Sequence, residues 1–162
     1  MQDIVEAIIK SIKEKNYYSA LFLTIILPSI CGALESDDGE DTRAKYIGWY
    51  NRYIDNLMLK GEDCYALRCS LLHQGRTTHR SSSFSRVLFN YPHTSGTTLH
   101  NNFIEGALNL DIPLFCNRVL SAVERWKTEV ESTENYQRNI ANSIRIHPNG
   151  LAPFIVGHPL IT

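Results

Sequence analysis

Two residues of the segment Arg68-Cys-Ser-Leu-Leu-His73 are of types that can act together on a phosphate group. RNA can be cleaved without a metal ion if a base takes the proton of the 2′-hydroxyl and a cation stabilises the charge on the phosphate. A histidine and an arginine supply these two roles. His73 falls in the last turn of a predicted helix, where the negative end of the helix dipole favours the protonated ring. Arg68 and His73 are therefore candidate catalytic residues.

The position of Arg68 on its helix indicates that something must meet the guanidinium. On a helical wheel with about 100° per residue and Cys64 as zero, Arg68 falls at about 40°, inside an apolar arc from about 300° to about 140°. The arc holds Leu67, Leu71, Leu72, Tyr65 and Cys69. A guanidinium facing a core needs an acidic partner, a subunit interface or an anionic ligand. His73 lies about 140° around the helix and about 7.5 Å along it from Arg68.

This pattern resembles the HEPN superfamily, whose helical domains carry an R-x4-6-H motif near the end of a late bundle helix. Arg68 and His73 match it with four intervening residues, and the resemblance extends loosely over residues 3 to 76. It implies a metal-independent endoribonuclease of a toxin or antiphage defence system, in which His73 is the general base and Arg68 stabilises the phosphate. It also implies a homodimer in which two motifs face each other, and an antitoxin or other protein as a possible partner.

The residues leave alternatives open. Many active HEPN members have a polar residue directly after the arginine, where this chain has Cys69, and other members only bind proteins or nucleotides. The alternative function is therefore a non-catalytic binding module, in which Arg68 makes a structural ion pair and His73 caps the helix. Cys69 is either a core residue or a nucleophile. Arg76 and Arg80 either hold an RNA backbone next to the motif or belong to a solvated turn.

The sequence pattern in the first half of the chain predicts four helices, the last of which carries Arg68 and His73. Amphipathic periodicity predicts a helix over residues 3–15, and a run that is apolar all round predicts a central helix over 17–34, kinked or split by Pro28. Recurring aromatics predict a third helix over 42–59. The fourth helix, which carries the motif, begins near residue 61 and ends before Gly75, a residue type that favours the position just after a helix.

The second half predicts a β-hairpin and two more helices. Strand-like segments at 84–90 and 97–103 flank a turn with Pro92, Ser95 and Gly96, which indicates a hairpin within 84–103. Asp111-Ile-Pro113 opens an amphipathic helix to about residue 130, and a shorter helix follows over 134–143. In the C-terminal tail we expect four apolar side chains to dock on the body: Leu151, Phe154, Ile155 and Val156.

These elements together predict one domain over residues 1–162, mainly α, with a HEPN-like helical bundle at 1–76, an inserted hairpin at 84–103 and extra C-terminal helices and tail at 111–162. The net charge of −1 excludes a whole-molecule field that attracts nucleic acid, so RNA binding must be local. The four scattered cysteines and the start of the chain, which lacks a signal-peptide pattern, predict a cytoplasmic protein. The longest apolar stretch, residues 20–34, is too short to span a bilayer and contains Pro28, which predicts a core helix and no membrane span. The dispersed histidines and the lack of a phosphate-binding loop predict neither a metal site nor a cofactor.

Overall fold

The computed structural model describes residues 1–93 and 96–162, and its architecture is mainly α. In this part of the chain there are six α-helices, which cover about half of the sequence. The helices are α1 (Gln2–Lys13), α2 (Tyr17–Leu34), α3 (Arg43–Tyr53), α4 (Gly61–Gln74), α5 (Ile112–Val130) and α6 (Glu134–Ile140).

Side-chain caps fix where several of these helices begin. The Asn16 side chain accepts a hydrogen bond from the backbone N–H of Ser19 at the start of α2, and Asp111 accepts one from Leu114 at the start of α5. Each cap satisfies a backbone donor that has no partner inside the helix. The predicted third helix was too long at its end, because the backbone becomes extended at Ile54 and α3 stops at Tyr53.

Helix α2 forms the centre of the core. It packs against α1, α3 and α5, and it runs unbroken from Tyr17 to Leu34 with Pro28 buried inside it, so Pro28 does not split it. By length and composition α2 is the one candidate membrane span in the part of the chain that the structure describes, and 56% of that window is buried. Its neighbours cover it as they would cover the core helix of a soluble domain.

Aromatic side chains join α3 to the C-terminal helices. The rings of Trp49 and Trp126 meet edge to face with centroids 6.3 Å apart, and both side chains are fully buried. The indole N–H of Trp126 donates to the Glu35 carboxylate at 2.8 Å, directly after α2. This hydrogen bond satisfies a polar group that would otherwise be costly to bury.

The predicted hairpin at 84–103 is wrong in its pairing. Strand β1 (Arg86–Asn90) is parallel to β3 (Ala107–Asp111), β2 (Asn102–Ile104) is antiparallel to β3, and the order is β1-β3-β2. The hairpin therefore lies one strand later, between β2 and β3. Leu108 and Leu110 are fully buried, so β3 takes the centre of the sheet. The predicted turn falls partly on residues 94 and 95, which lie outside the described residues.

The tail does not dock in the predicted way. It forms two small antiparallel pairs, in which β4 (Ile146–His147) pairs with β7 (Leu160–Ile161) and β5 (Gly150–Leu151) with β6 (Ile155–Val156). Leu151 is half-buried, but Phe154 is 80% exposed and the whole of β6 is exposed. Two-residue strands satisfy backbone groups but are too short to present a face that a core can bury.

Candidate active site on helix α4

Helix α4 holds Arg68 and His73, and both of its ends are fixed. At the start, the N–H of Gly61 donates to the Asn51 side chain at 2.8 Å. At the end, Gly75 has a φ of +62°, its N–H donates to the Leu71 carbonyl, and the N–H of Arg76 donates to the Ser70 carbonyl. Glycine adopts this left-handed conformation without steric cost, so the helix ends at Gln74, one residue after His73.

The face that α4 turns to the core differs from the face that the wheel predicted. The buried side chains include Ala66, Leu67, Ser70 and Leu71, whereas Tyr65, Cys69 and Leu72 are only half-buried. We call the latter three residues the α4 strip. The inward face thus combines Leu67 and Leu71 with the smaller Ala66 and Ser70, and the outer face keeps Tyr65 and Leu72. The strip is therefore a partly apolar surface beside the motif.

Arg68 is half-buried and has no ionic partner among residues 1–93 and 96–162. Its guanidinium carbon lies 5.9 Å from the centroid of the Tyr65 ring, and its Nη1 is 4.0 Å from the Cys69 sulfur. Its Nε is buried without a hydrogen-bond partner, and none of the three ion pairs in the described residues includes it. The structural ion pair that was one alternative for Arg68 is thus not formed within the described part of a single chain.

His73 is exposed in the last turn of α4. On the wheel, Arg68 and His73 lie at the two edges of the α4 strip, about 140° apart. No hydrogen bond joins the two side chains within the described ranges. One chain therefore presents the guanidinium and the imidazole on one surface without bringing them into contact.

Arg43 is a neighbour of this site that sequence reasoning missed. Its guanidinium carbon lies 5.9 Å from the Tyr65 centroid, the same distance as that of Arg68. Burial raises the pKa of Tyr65, Cys69 adds to the shift, and the Asp41 carboxylate makes a smaller contribution. Arg43 begins α3, far from α4 in sequence, so no local pattern predicts that it shares a ring with Arg68.

Arg76 and Arg80 lie together beside the end of α4. With Ser70, Gln74, Thr78 and His79 they line an open cleft of about 520 Å³, which we call the arginine cleft. Both arginines are exposed, and neither is in an ion pair within residues 1–93 and 96–162. Arg68 and His73 do not line this cleft, so the predicted basic residues and the predicted catalytic residues occupy adjacent surfaces.

The turn that carries these basic residues is held by a buried carboxylate. Asp63, in the first turn of α4, accepts a hydrogen bond of 2.6 Å from the backbone N–H of Ser83. Within the turn, the Nδ1 atom of His79 lies 2.7 Å from the Ser81 hydroxyl oxygen. The two ends of the segment 75–83 are thus tied to the two ends of α4.

Comparisons with protein-family models, with curated proteins and with solved structures found no match to this chain. Among the described residues, no group of three or more His, Cys, Asp or Glu side chains is placed to hold a metal ion. The chemistry of the site therefore has to be argued from the residues of α4 and its surroundings.

Proposed function

We propose that the chain is a cytoplasmic, metal-independent endoribonuclease of HEPN type that works as a homodimer, with Arg68 and His73 as its catalytic residues. One observation carries the proposal. Arg68 is half-buried, its Nε has no hydrogen-bond partner, and no carboxylate within ion-pair distance in the described residues neutralises it. A cation left in this state favours an anion that comes from outside the chain, and an RNA phosphate is such an anion.

In the proposed reaction, His73 takes the proton from a 2′-hydroxyl, and the resulting oxygen attacks the adjacent phosphorus. The bond from phosphorus to the 5′-oxygen breaks, that oxygen takes a proton from water, and His73 then returns its proton to the solvent. Arg68 donates hydrogen bonds to the phosphate oxygens, on which negative charge develops. The products are a 2′,3′-cyclic phosphate and a free 5′-hydroxyl, and no metal ion takes part.

The α4 strip supports the dimer. Tyr65, Cys69 and Leu72 are half-buried in one chain and lie between Arg68 and His73 on the helix surface. Pairing two strips about a two-fold axis would bury this apolar surface and set the His73 of one copy opposite the Arg68 of the other. Such an arrangement supplies the contact between imidazole, guanidinium and phosphate that a single chain lacks.

The test is cleavage of single-stranded RNA in excess EDTA by the full chain, followed by analysis of the product ends. We expect 2′,3′-cyclic phosphate ends from the unmodified chain and none from Arg68→Ala or His73→Ala. His158→Ala is a matched control, because His158 is also exposed and lies in the tail. Undiminished cleavage by His73→Ala would overturn the proposal.

A second candidate function is a non-catalytic module that binds a protein or nucleotide. The observation that favours it is the exposed position of His73, whose ring no hydrogen bond orients within the described residues. A general base is ordinarily held in place by such a bond. This candidate function predicts no RNA turnover at any protein concentration. It also predicts that the chain binds a partner and that Leu72→Glu, a substitution on the α4 strip, abolishes this binding.

A further inference from the structure

A second cleft lies on the other side of the end of α4. It has a volume of about 550 Å³ and is enclosed by the start of α2, the end of α4 and strand β1. We call it the tyrosine cleft. Its floor is apolar and includes the buried side chains of Leu21, Leu71 and Val87. A concave surface with an apolar floor is the usual form of a ligand-binding site.

Tyrosine rings form the rim of the tyrosine cleft. Tyr17 and Tyr91 are stacked with centroids 5.4 Å apart and an angle of 16° between the ring planes. Tyr91 nevertheless remains 62% exposed, and the neighbouring Tyr18 is 81% exposed. Exposed rings of this kind are sequence-tolerant platforms for nucleobases, because every base has a π-face that can stack.

The charges around the tyrosine cleft are of one sign. Lys15 and Arg86 line it, and no aspartate or glutamate is among the described residues that do so. Both cations are exposed, and neither takes part in an ion pair within the described ranges. The apolar floor, the aromatic rim and the two unneutralised cations of this cleft complement a ligand that has a flat ring and an adjacent phosphate.

From these features we infer that the tyrosine cleft binds one nucleotide of a single-stranded RNA. Tyr18 and Tyr91 both contact the base, and Lys15 and Arg86 contact the flanking phosphates. Leu71 and Gly75, which line the cleft, stand two residues before and two residues after His73. The tyrosine cleft therefore lies beside the end of the helix that carries His73, and a strand bound at Arg68 and His73 would have to pass around that helix end to reach it. The inference rests on the proposed function in taking RNA as the ligand.

The experiment measures binding separately from cleavage. A fluorescently labelled 2′-O-methyl oligouridylate, which lacks the attacking hydroxyl, is titrated with the full chain and followed by anisotropy. We expect Tyr18→Ala and Tyr91→Ala each to weaken binding about tenfold, equivalent to about 1.4 kcal/mol. Tyr91→Phe keeps the ring and should bind nearly normally. Arg86→Gln should weaken binding and lower the salt dependence.

Phe154→Ala is the matched control, because Phe154 is as exposed as Tyr18 but lies in the tail. Normal binding by this control and weak binding by the tyrosine variants would support the inference. If RNA is cut and bound equally by all variants, the tyrosine cleft is not the subsite, although the proposed nuclease stands. If the oligonucleotide binds through the tyrosines but unmodified RNA is never cut, the cleft is supported and the proposed nuclease fails. Uridine monophosphate binding as tightly as the oligonucleotide would overturn the assignment to an RNA strand.

Discussion

The unsatisfied guanidinium of Arg68 predicts that removing it stabilises the fold while it abolishes the proposed cleavage of RNA. We expect Arg68→Met to raise the free energy of unfolding, because a flexible apolar side chain fills the same space without a polar group to satisfy. Arg68 is only half-buried, with its Nε shielded, so the gain is smaller than for a fully enclosed group.

The magnitude follows from two opposing contributions. An unsatisfied buried donor costs about 1–3 kcal/mol, and half-burial places Arg68 near the lower end of that range, at about 1–1.5 kcal/mol. The contact of its guanidinium carbon with the Tyr65 ring at 5.9 Å contributes about 0.5–1 kcal/mol in the other direction. The net stabilisation is about 0.5 kcal/mol, which for a chain of this size raises Tm by about 1–2 °C.

The assay is urea denaturation of the two chains at low protein concentration, where a monomer dominates. Arg52→Met is the matched control, because Arg52 pairs with Glu35 and lies 4.7 Å over the Tyr53 ring. That variant should lose stability, by up to about 1 kcal/mol. When the series is repeated at higher protein concentration, Arg68→Met should gain less stability if a second copy of the chain, or an anion bound by it, contacts Arg68. A loss of stability from Arg68→Met at low concentration would refute the reasoning, since it would mean that Arg68 already has a favourable partner within one chain.

Three further predictions concern the rest of the chain. Asp63→Ala removes the acceptor of the hydrogen bond from the Ser83 N–H, so it should lower the free energy of unfolding by about 1–2 kcal/mol. It should also speed tryptic cleavage in the turn after α4. An unchanged cleavage rate would show that other contacts hold the turn. A thiol reagent should modify the partly exposed Cys69 rapidly and the three buried cysteines slowly. Cys69→Ser should therefore abolish the fast phase of the reaction. A fast phase that persists in this variant would mean that local opening of the fold exposes one of the buried cysteines. Burial raises the pKa of Cys64 to about 12 and that of Cys116 to about 11, above the usual 9.0. Because the unfolded chain loses these thiol protons at a lower pH than the folded chain, the urea concentration at the unfolding midpoint should fall as the pH rises from about 8.5 to about 10.5. A midpoint that stays constant over this range would contradict the prediction.

Local signals predicted the helices well. The apolar run at 17–34 matches α2, and Gly75 marks the end of α4, since its φ of +62° suits glycine. Capping, glycine conformation and periodicity act within one or two turns of chain, so the sequence alone carries them. The mainly α architecture and the position of Arg68 and His73 near a helix end followed from these signals.

Longer-range packing decided what the sequence left open. The residues at 84–90 and 97–103 have strand-like patterns, but the strands β1 and β2 that form there both pair with β3 and not with each other. The leucines of β3 are more deeply buried than the side chains of β1 and β2. Phe154 is apolar yet exposed, because the small ribbon of β5 and β6 that carries it leaves its side chain in solvent. Strand order and docking depend on which apolar surfaces compete for the core, and that competition involves the whole chain.

The site shows the same division. The sequence by itself determined that Arg68 and His73 share one helix, their separation along it, and the helix end beside His73. Only the tertiary structure decided that the outer face of α4 carries Tyr65, that Arg43 from another helix approaches the same ring, and that Arg68 has no carboxylate partner in the described residues. The physical reason is that α4 is apolar on several sides, so its orientation is set by its neighbours and not by its own periodicity.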